Sequence, residues 1–241
     1  MKTSTWFLLI LIVFLSIFLR WWGILHGSFA FTYDVGRDLL AVRDLVYQHK
    51  ITLIGPTSGQ GGFFYGPWWY WVLAIPFFLS GGNPTLISIF IALTGTASVL
   101  LSYWWGKDIL DKNSGLFLAG LFAVVPFFIS STTQIWNPNL LILLTLITLV
   151  FLFHINKINS AKLVIFGFLT TLLIELELVF GSVFMIGLLF SLLLWQRKTF
   201  FSRKIFLILA GGLVVEAPRV LIELRHNFLQ TKILFSMVIS N

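Results

Sequence analysis

Gly66-Pro67-Trp68-Trp69-Tyr70-Trp71-Val72-Leu73-Ala74-Ile75-Pro76-Phe77-Phe78-Leu79-Ser80-Gly81-Gly82-Asn83-Pro84 is the stretch on which the topology turns. Its apolar part, Trp68 to Ser80, is shorter than the roughly 20 residues a helix needs to cross a bilayer. Gly-Pro precedes it and Gly-Gly-Asn-Pro follows it, and both are strong chain breakers. Around it lie longer apolar runs at 6–24, 84–105, 114–131, 138–154, 162–177, 181–196 and 205–222. If Trp68–Ser80 crosses, every later loop changes side.

Charge gives the answer. The loops 106–113, 155–162 and 197–204 carry Lys107, Lys112, Lys157, Lys162, Arg197, Lys198, Arg203 and Lys204, and the N-terminus adds Lys2. All of them fall on the cytoplasmic side only if Trp68–Ser80 does not cross, as the positive-inside bias requires. The expectation is therefore an all-α polytopic membrane protein with seven transmembrane helices. Residues 25–83 form an outer-face loop, and 67–80 is a re-entrant or interfacial helix with its Trp-Trp-Tyr-Trp cluster at headgroup level. Ser28-Phe29-Ala30 has the form of a signal-peptide cleavage site. The preceding Arg20-Trp21-Trp22 reads as an interfacial flank, so the first run is taken as a retained anchor.

Composition agrees with lipid as the solvent. The 241 residues are 58% hydrophobic and 10% charged, too few polar groups for a soluble domain of this length. With no cysteine, disulfides, thiolate metal sites and cysteine nucleophiles are excluded. The net charge of +7 is scattered in pairs between apolar runs, so it reads as an orientation signal rather than a nucleic-acid surface. The cytoplasmic loops hold nothing resembling a site. The outer side receives 25–83, Trp136-Asn137-Pro138-Asn139, Glu175, Glu177 and the run from Glu216 to Lys232, so function is expected there.

Thr32-Tyr33-Asp34-Val35-Gly36-Arg37-Asp38 concentrates charge just past the first run. Residues 34–48 fit an interfacial helix, with Val35, Leu39, Val42 and Val46 on one stripe at helical spacing. Asp34 and Asp38 share the flank of that stripe, while Arg37 and Asp44 point away. Asp34 serves either as a helix N-cap or as a general base at the membrane surface, with Asp38 sharing a metal or tuning its pKa.

Downstream, Ile54 to Pro67 is a Gly-rich loop that matches neither GxGxxG nor the P-loop. Its aromatics Phe63, Phe64 and Tyr65, with Trp68 and Trp69, suit a sugar face, an isoprenoid groove or plain interfacial anchoring. In the Trp136-Asn137-Pro138-Asn139 turn, Pro138 starts a helix and Asn137 caps it. Glu175 and Glu177 lie near a helix end, where a buried carboxylate is a functional candidate. Two apart on a helix, they face different ways, so at most one points into a cavity. Arg219 and Glu223 are i, i+4 neighbours expected to pair. Arg225 and His226 emerge at the outer surface, where a guanidinium can hold a phosphate bidentately. No His or Glu pair has zincin spacing.

Taken together, Tyr33-Asp34-x-x-Arg37-Asp38, Leu53-Ile54-Gly55-Pro56-Thr57 and Tyr65-Gly66-Pro67-Trp68-Trp69-Tyr70-Trp71 resemble the lipid-phosphate-sugar glycosyltransferases of GT-C fold. The nearest branch is similar to dolichyl-phosphate-mannose protein mannosyltransferases and bacterial aminoarabinose transferases. Trp136-Asn137-Pro138 and Ile222-Glu223-Leu224-Arg225-His226 match more weakly. The resemblance implies a single GT-C-like module over 1–241, truncated at its C-terminus, in the plasma membrane with its active site on the outer face. It implies Asp34 as catalytic base with Asp38 nearby, and displacement at an anomeric carbon with a polyprenyl phosphate leaving. Positive charge from Arg225, Arg37 or a bound divalent cation would stabilise that phosphate. Arg37, Tyr65, Gly66, Pro67, Trp68, Trp136, Asn137, Glu177, Glu223, Arg225 and His226 are the substrate-binding candidates. The partners implied are a polyprenyl-phosphate sugar donor and a lipid, glycan or protein acceptor. Two other readings remain: a transporter or flippase-like protein for a lipid-linked substrate, and a non-catalytic membrane subunit.

Overall fold

The computed structural model describes residues 3–58 and 63–239. Among them every extended regular element is helical, and a lone antiparallel bridge joins Thr57 and Phe64. In chain order the helices are α1 (Thr3–Leu25), α2 (Tyr33–Tyr47), α3 (Trp68–Ser80), α4 (Pro84–Ile109), α5 (Lys112–Val124) and α6 (Pro126–Ser130). A 3₁₀ turn, Asn137–Leu140, leads into α7 (Leu141–Phe153). Then follow α8 (Ser160–Leu176), α9 (Leu178–Trp195), α10 (Arg197–Phe200), α11 (Lys204–Arg225) and α12 (Leu229–Ile239).

All seven apolar runs are helical, but the seven-span topology does not hold. Four helices are long and apolar enough to cross a membrane: Ser4–Leu25, Pro84–Ile109, Leu178–Trp195 and Lys204–Arg225. The run 114–131 fails because Pro126 has no N–H and divides it into α5 and α6. The run 138–154 opens as a 3₁₀ turn and leaves only 13 α-helical residues in α7. The helix over 162–177 stops at 17 residues. Hydropathy counts apolar residues, whereas a span needs an unbroken hydrogen-bonded helix of about 30 Å. With four such helices, the GT-C-like seven-helix description is set aside. The chain is a membrane-embedded, all-α protein.

Helix starts follow local chemistry. Asn83 caps α4, its side-chain oxygen accepting from Thr85 N at 2.9 Å and Leu86 N at 3.3 Å, with Pro84 in the first turn. Gly81 and Gly82 reach this cap through positive φ of 63° and 83°. Asp111 caps α5 through Ser114 N at 2.7 Å, and Asn159 caps α8 through Lys162 N at 3.0 Å.

The chain divides into two compact units. The first comprises Met1–Leu40 and Ile75–Val150. In it α1, α4 and α5 pack around Leu9, Val99, Tyr103, Ala119 and Ala123. The far side of α1 keeps Phe7, Ile10 and Phe14 exposed, as lipid contact requires. The second comprises Ala41–Ala74 and Phe151–Asn241. Its core gathers Ile155, Leu163, Phe166, Leu188, Leu192 and Ile208. Here α8 and α11 run backbone to backbone: a Cβ on Gly167 would overlap the Ile208 carbonyl, and one on Gly211 the Val164 carbonyl.

Candidate functional site

In the first unit, the N-terminal turn of α2 holds the Asp34 constellation. The helix covers the expected segment, but Val35, Leu39 and Val42 of its stripe are buried within the protein and not spread on lipid. Its capping contact comes from Thr32, whose Oγ1 accepts from Val35 N at 3.4 Å. Asp34 is therefore not needed as the cap, and its side chain is half exposed.

Arg37 does not point away from the two carboxylates; it joins them. Its Nη1 lies 2.9 Å from Asp34 Oδ1, its Nη2 2.8 Å from Asp38 Oδ1, and Nε donates to the same Asp38 oxygen at 2.9 Å. Arginine's long, flexible stem lets its head return across the turn, which a helical-wheel angle does not capture. Asp38 is fully buried under this pairing, while Asp34 keeps its second oxygen open. An open cleft of about 560 Å³ at this helix start is lined by Phe31, Thr32, Tyr33, Gly36, Arg37 and Leu40. With both aspartates engaged by one arginine, and no three His, Asp or Glu side chains converging among the described residues, the donor set does not fit a protein-held divalent cation.

In the second unit, residues 55–58 and 63–65 of the Gly-rich loop pair through their backbones. Gly55 N donates to Tyr65 O at 2.8 Å, Tyr65 N to Pro56 O at 2.9 Å, and Ser58 N to Phe63 O at 2.7 Å. The segment 63–66 is latched residue by residue. Phe63 lies under the Arg219 guanidinium, 5.2 Å from ring centroid to Cζ. Phe64 N donates to Gln230 Oε1 at 3.2 Å, and the Tyr65 hydroxyl donates to Glu177 Oε2 at 3.4 Å. Gly66 lies so close to Glu175 that any Cβ would overlap its carboxylate. Pro67 then turns the chain into α3, where the Trp68 indole N–H donates to Val215 O at 2.9 Å and its ring meets Phe168 edge-on at 5.0 Å. That carbonyl neighbours the one in α11 that Pro218 leaves without a helical donor.

Both glutamates meet this one segment, Glu175 at Gly66 and Glu177 at Tyr65, although they lie two apart in sequence. α8 ends at Leu176, and Glu177 is extended, with φ −155° and ψ 108°, so helical spacing no longer separates them. Glu175 is fully buried and forms an ion pair with Arg219; Glu216 lies 3.9 Å from the same guanidinium. The expected Arg219–Glu223 pair is replaced. Glu223 instead holds the start of α12, accepting from Gln230 N at 3.0 Å, Thr231 N at 3.1 Å and the Thr231 hydroxyl at 2.6 Å. Burial and the nearby Glu177 charge raise the Tyr65 phenol above its ordinary pKa.

The remaining candidates belong to the end of α11 and to the 3₁₀ turn. Arg225 and His226 are exposed at the end of α11, with His226 Nδ1 3.0 Å from Ile222 O. Trp136 is half exposed and occupies the cap position itself, so Asn137 lies inside the 3₁₀ turn, buried, and does not cap it. Asn139 ties that turn to Gln134 O at 2.6 Å. Sequence reasoning missed the joint role of Glu175, Glu216, Arg219 and Phe63. A buried charge inside an apolar helix was the available signal, but its partner lies 44 positions away.

Four helices long and apolar enough to cross a membrane define a membrane protein, and its second unit gathers a buried ion pair beside an aromatic segment. Residues 65–222 match the family described as dolichyl-phosphate-mannose-protein mannosyltransferase, and the chain belongs to that family. The match takes in Tyr65, Gly66, Trp68, Glu175, Glu177, Glu216 and Arg219, and leaves Asp34, Asp38 and Arg225 outside it. No curated protein and no solved structure matches the chain.

Proposed function

We propose that this chain is a membrane glycosyltransferase that moves a sugar from a polyprenyl-phosphate donor to an acceptor hydroxyl on the outer face of the plasma membrane. Membership of the mannosyltransferase family carries the reading. Asp34 is the base: it takes the acceptor proton as the acceptor oxygen attacks the anomeric carbon, the glycosyl–phosphate bond breaks, and configuration inverts. Its support is local. Thr32 provides the capping contact, Arg37 fixes one carboxylate oxygen, and the other is left for a substrate proton. Asp38, buried against Arg37, sets the position of that arginine. Arg225, exposed and without an ion pair among the described residues, suits the departing phosphate.

The test is transfer from a polyprenyl-phosphate sugar by the full chain in vesicles. Asp34→Asn lowers turnover by roughly 10²–10⁴-fold, and Asp38→Asn by less. Normal turnover in Asp34→Asn overturns the assignment of the base. A wild type that transfers no sugar from any such donor overturns the reading itself.

The transporter reading needs broken helices whose freed backbone groups meet a substrate. At the Pro126 break the protein supplies its own donor, Arg20, and beside Pro218 it places the Trp68 indole. The Phe122 carbonyl freed at Pro126 is thus occupied, which favours the transferase.

A further inference from the structure

We infer that Arg219, with Glu216 beside it, is a contact for the hydroxyl groups of a sugar ring, and that the phosphate of the same donor is held by other residues. The inference rests on the sugar-transfer reading and specifies which part of the substrate this cluster takes.

The guanidinium is pre-oriented and under-used. Glu175 holds Nη2 and the Phe63 ring lies against one face, so the plane is fixed before any ligand arrives. Nε is shut away from solvent and has no hydrogen-bond acceptor among the described residues. Nη1 reaches Glu216 Oε2 only at 3.9 Å, longer than a direct hydrogen bond. A single hydroxyl oxygen fits that separation, accepting from Nη1 at about 2.9 Å and donating to the carboxylate at about 2.7 Å. A sugar hydroxyl is both donor and acceptor, as this pairing of guanidinium and carboxylate demands.

Charge argues against a phosphate here. Glu175, Glu177 and Glu216 surround the cluster and Arg219 is its one cation among the described residues, so an incoming phosphate meets net negative charge. A neutral polyol does not. Glu216 and Arg219 are both partly exposed, which leaves a way in for the ring. Trp68 on the adjoining turn, half-buried, supplies an apolar face of the kind that lines ligand sites.

The experiment compares two probes on the purified full chain in nanodiscs, undecaprenyl-phosphoryl mannose and undecaprenyl phosphate, with binding read from tryptophan fluorescence. Arg219→Lys keeps the charge and removes the fork; Glu216→Gln removes one charge at a partly exposed site. Thermal unfolding confirms that each variant is folded. Both variants are expected to weaken the mannosylated lipid by about tenfold and to leave the bare lipid within about twofold. Arg225→Gln is expected to weaken both lipids alike. Equal losses for both lipids in Arg219→Lys, or tighter binding of the bare lipid in Glu216→Gln, would mark Arg219 as a phosphate contact and overturn the inference. Equal wild-type affinity for the two lipids also overturns it, while sugar transfer itself is judged separately by the Asp34 assay.

Discussion

Arg20 Nε donates to Thr132 Oγ1 at 3.0 Å across 112 positions of sequence, and the side chain that does so is fully buried without a carboxylate partner among the described residues. The rest of its guanidinium serves the break at Pro126. Nη2 donates to Phe122 O at 2.8 Å and Phe128 O at 3.3 Å, and Nη1 to Ala123 O at 3.2 Å and Ser16 Oγ at 2.8 Å. Phe122 O is the carbonyl that residue 126 would have served had it not been proline. An arginine read from sequence as an interfacial flank is thus the donor that makes a broken helix tolerable in an apolar setting.

Removing that donor set exposes several carbonyls at once. Arg20→Leu is expected to cost about 3 kcal/mol or more, seen as a lower unfolding temperature in detergent. Gly95→Ala reaches the same site from α4, because a Cβ there would lie 2.6 Å from Arg20 Nε and 2.7 Å from Thr132 Cβ. The two changes should be strongly non-additive in a double-mutant cycle, and simple additivity would separate Gly95 from the arginine network.

The α8–α11 contact makes a graded prediction about glycine. Gly167→Ala and Gly211→Ala drive a methyl into a backbone carbonyl and should each destabilise by about 1–3 kcal/mol. Gly120→Ala and Gly187→Ala meet open space in their helices, and there alanine should gain up to about 1 kcal/mol. Thermal unfolding of the four variants measures the contrast, and a uniform response would contradict the close packing.

Glu223 fastens α12. Glu223→Ala removes the acceptor for two backbone N–H groups and the Thr231 hydroxyl, so residues 229–239 should lose amide protection while α8 and α9 keep theirs. The expected loss is about 1–2 kcal/mol, as for other helix caps. Hydrogen exchange read by mass spectrometry is the measurement. Unchanged protection in α12 would mean the helix is held by its packing.

Tyr65 predicts an alkaline signature. Its raised pKa means the folded chain keeps the phenol proton after the unfolded chain has begun to lose it near pH 10. This contribution to stability is whole below about pH 10 and is lost as the pH rises through the folded value. Absorbance titration at alkaline pH should show a late-ionising tyrosine that is missing in Tyr65→Phe. A wild-type curve identical to the variant's would remove the Tyr65–Glu177 hydrogen bond from the account.

Sidedness can be read across α1 and α4 alone. With the N-terminus inside, α1 carries the chain out and α4 returns it, so a reporter at Ser28 should read external and one at Asn113 cytoplasmic. The same side for both would remove the outer-face site.

The sequence alone determined the lipid solvent, the helical class and the family, and placed helix over each of the seven apolar runs. Each follows from composition or from neighbours within a few residues: apolar runs make helices, Asn83-Pro84 starts one, and Tyr65 to Trp71 carries a family pattern. It also singled out Asp34, Tyr65, Gly66 and Glu177, which the fold sets beside polar partners. Hydropathy misjudged the spans because it does not register where Pro126 or a 3₁₀ turn interrupts the hydrogen-bond ladder. Partners also escaped it: whether Arg219 meets Glu223 or Glu175, and whether Arg20 faces water or Phe122 O, is set by helix packing between residues tens to a hundred positions apart. Local spacing offers such a side chain several partners at similar cost. Only the tertiary fold, by leaving one of them without water, selects between them.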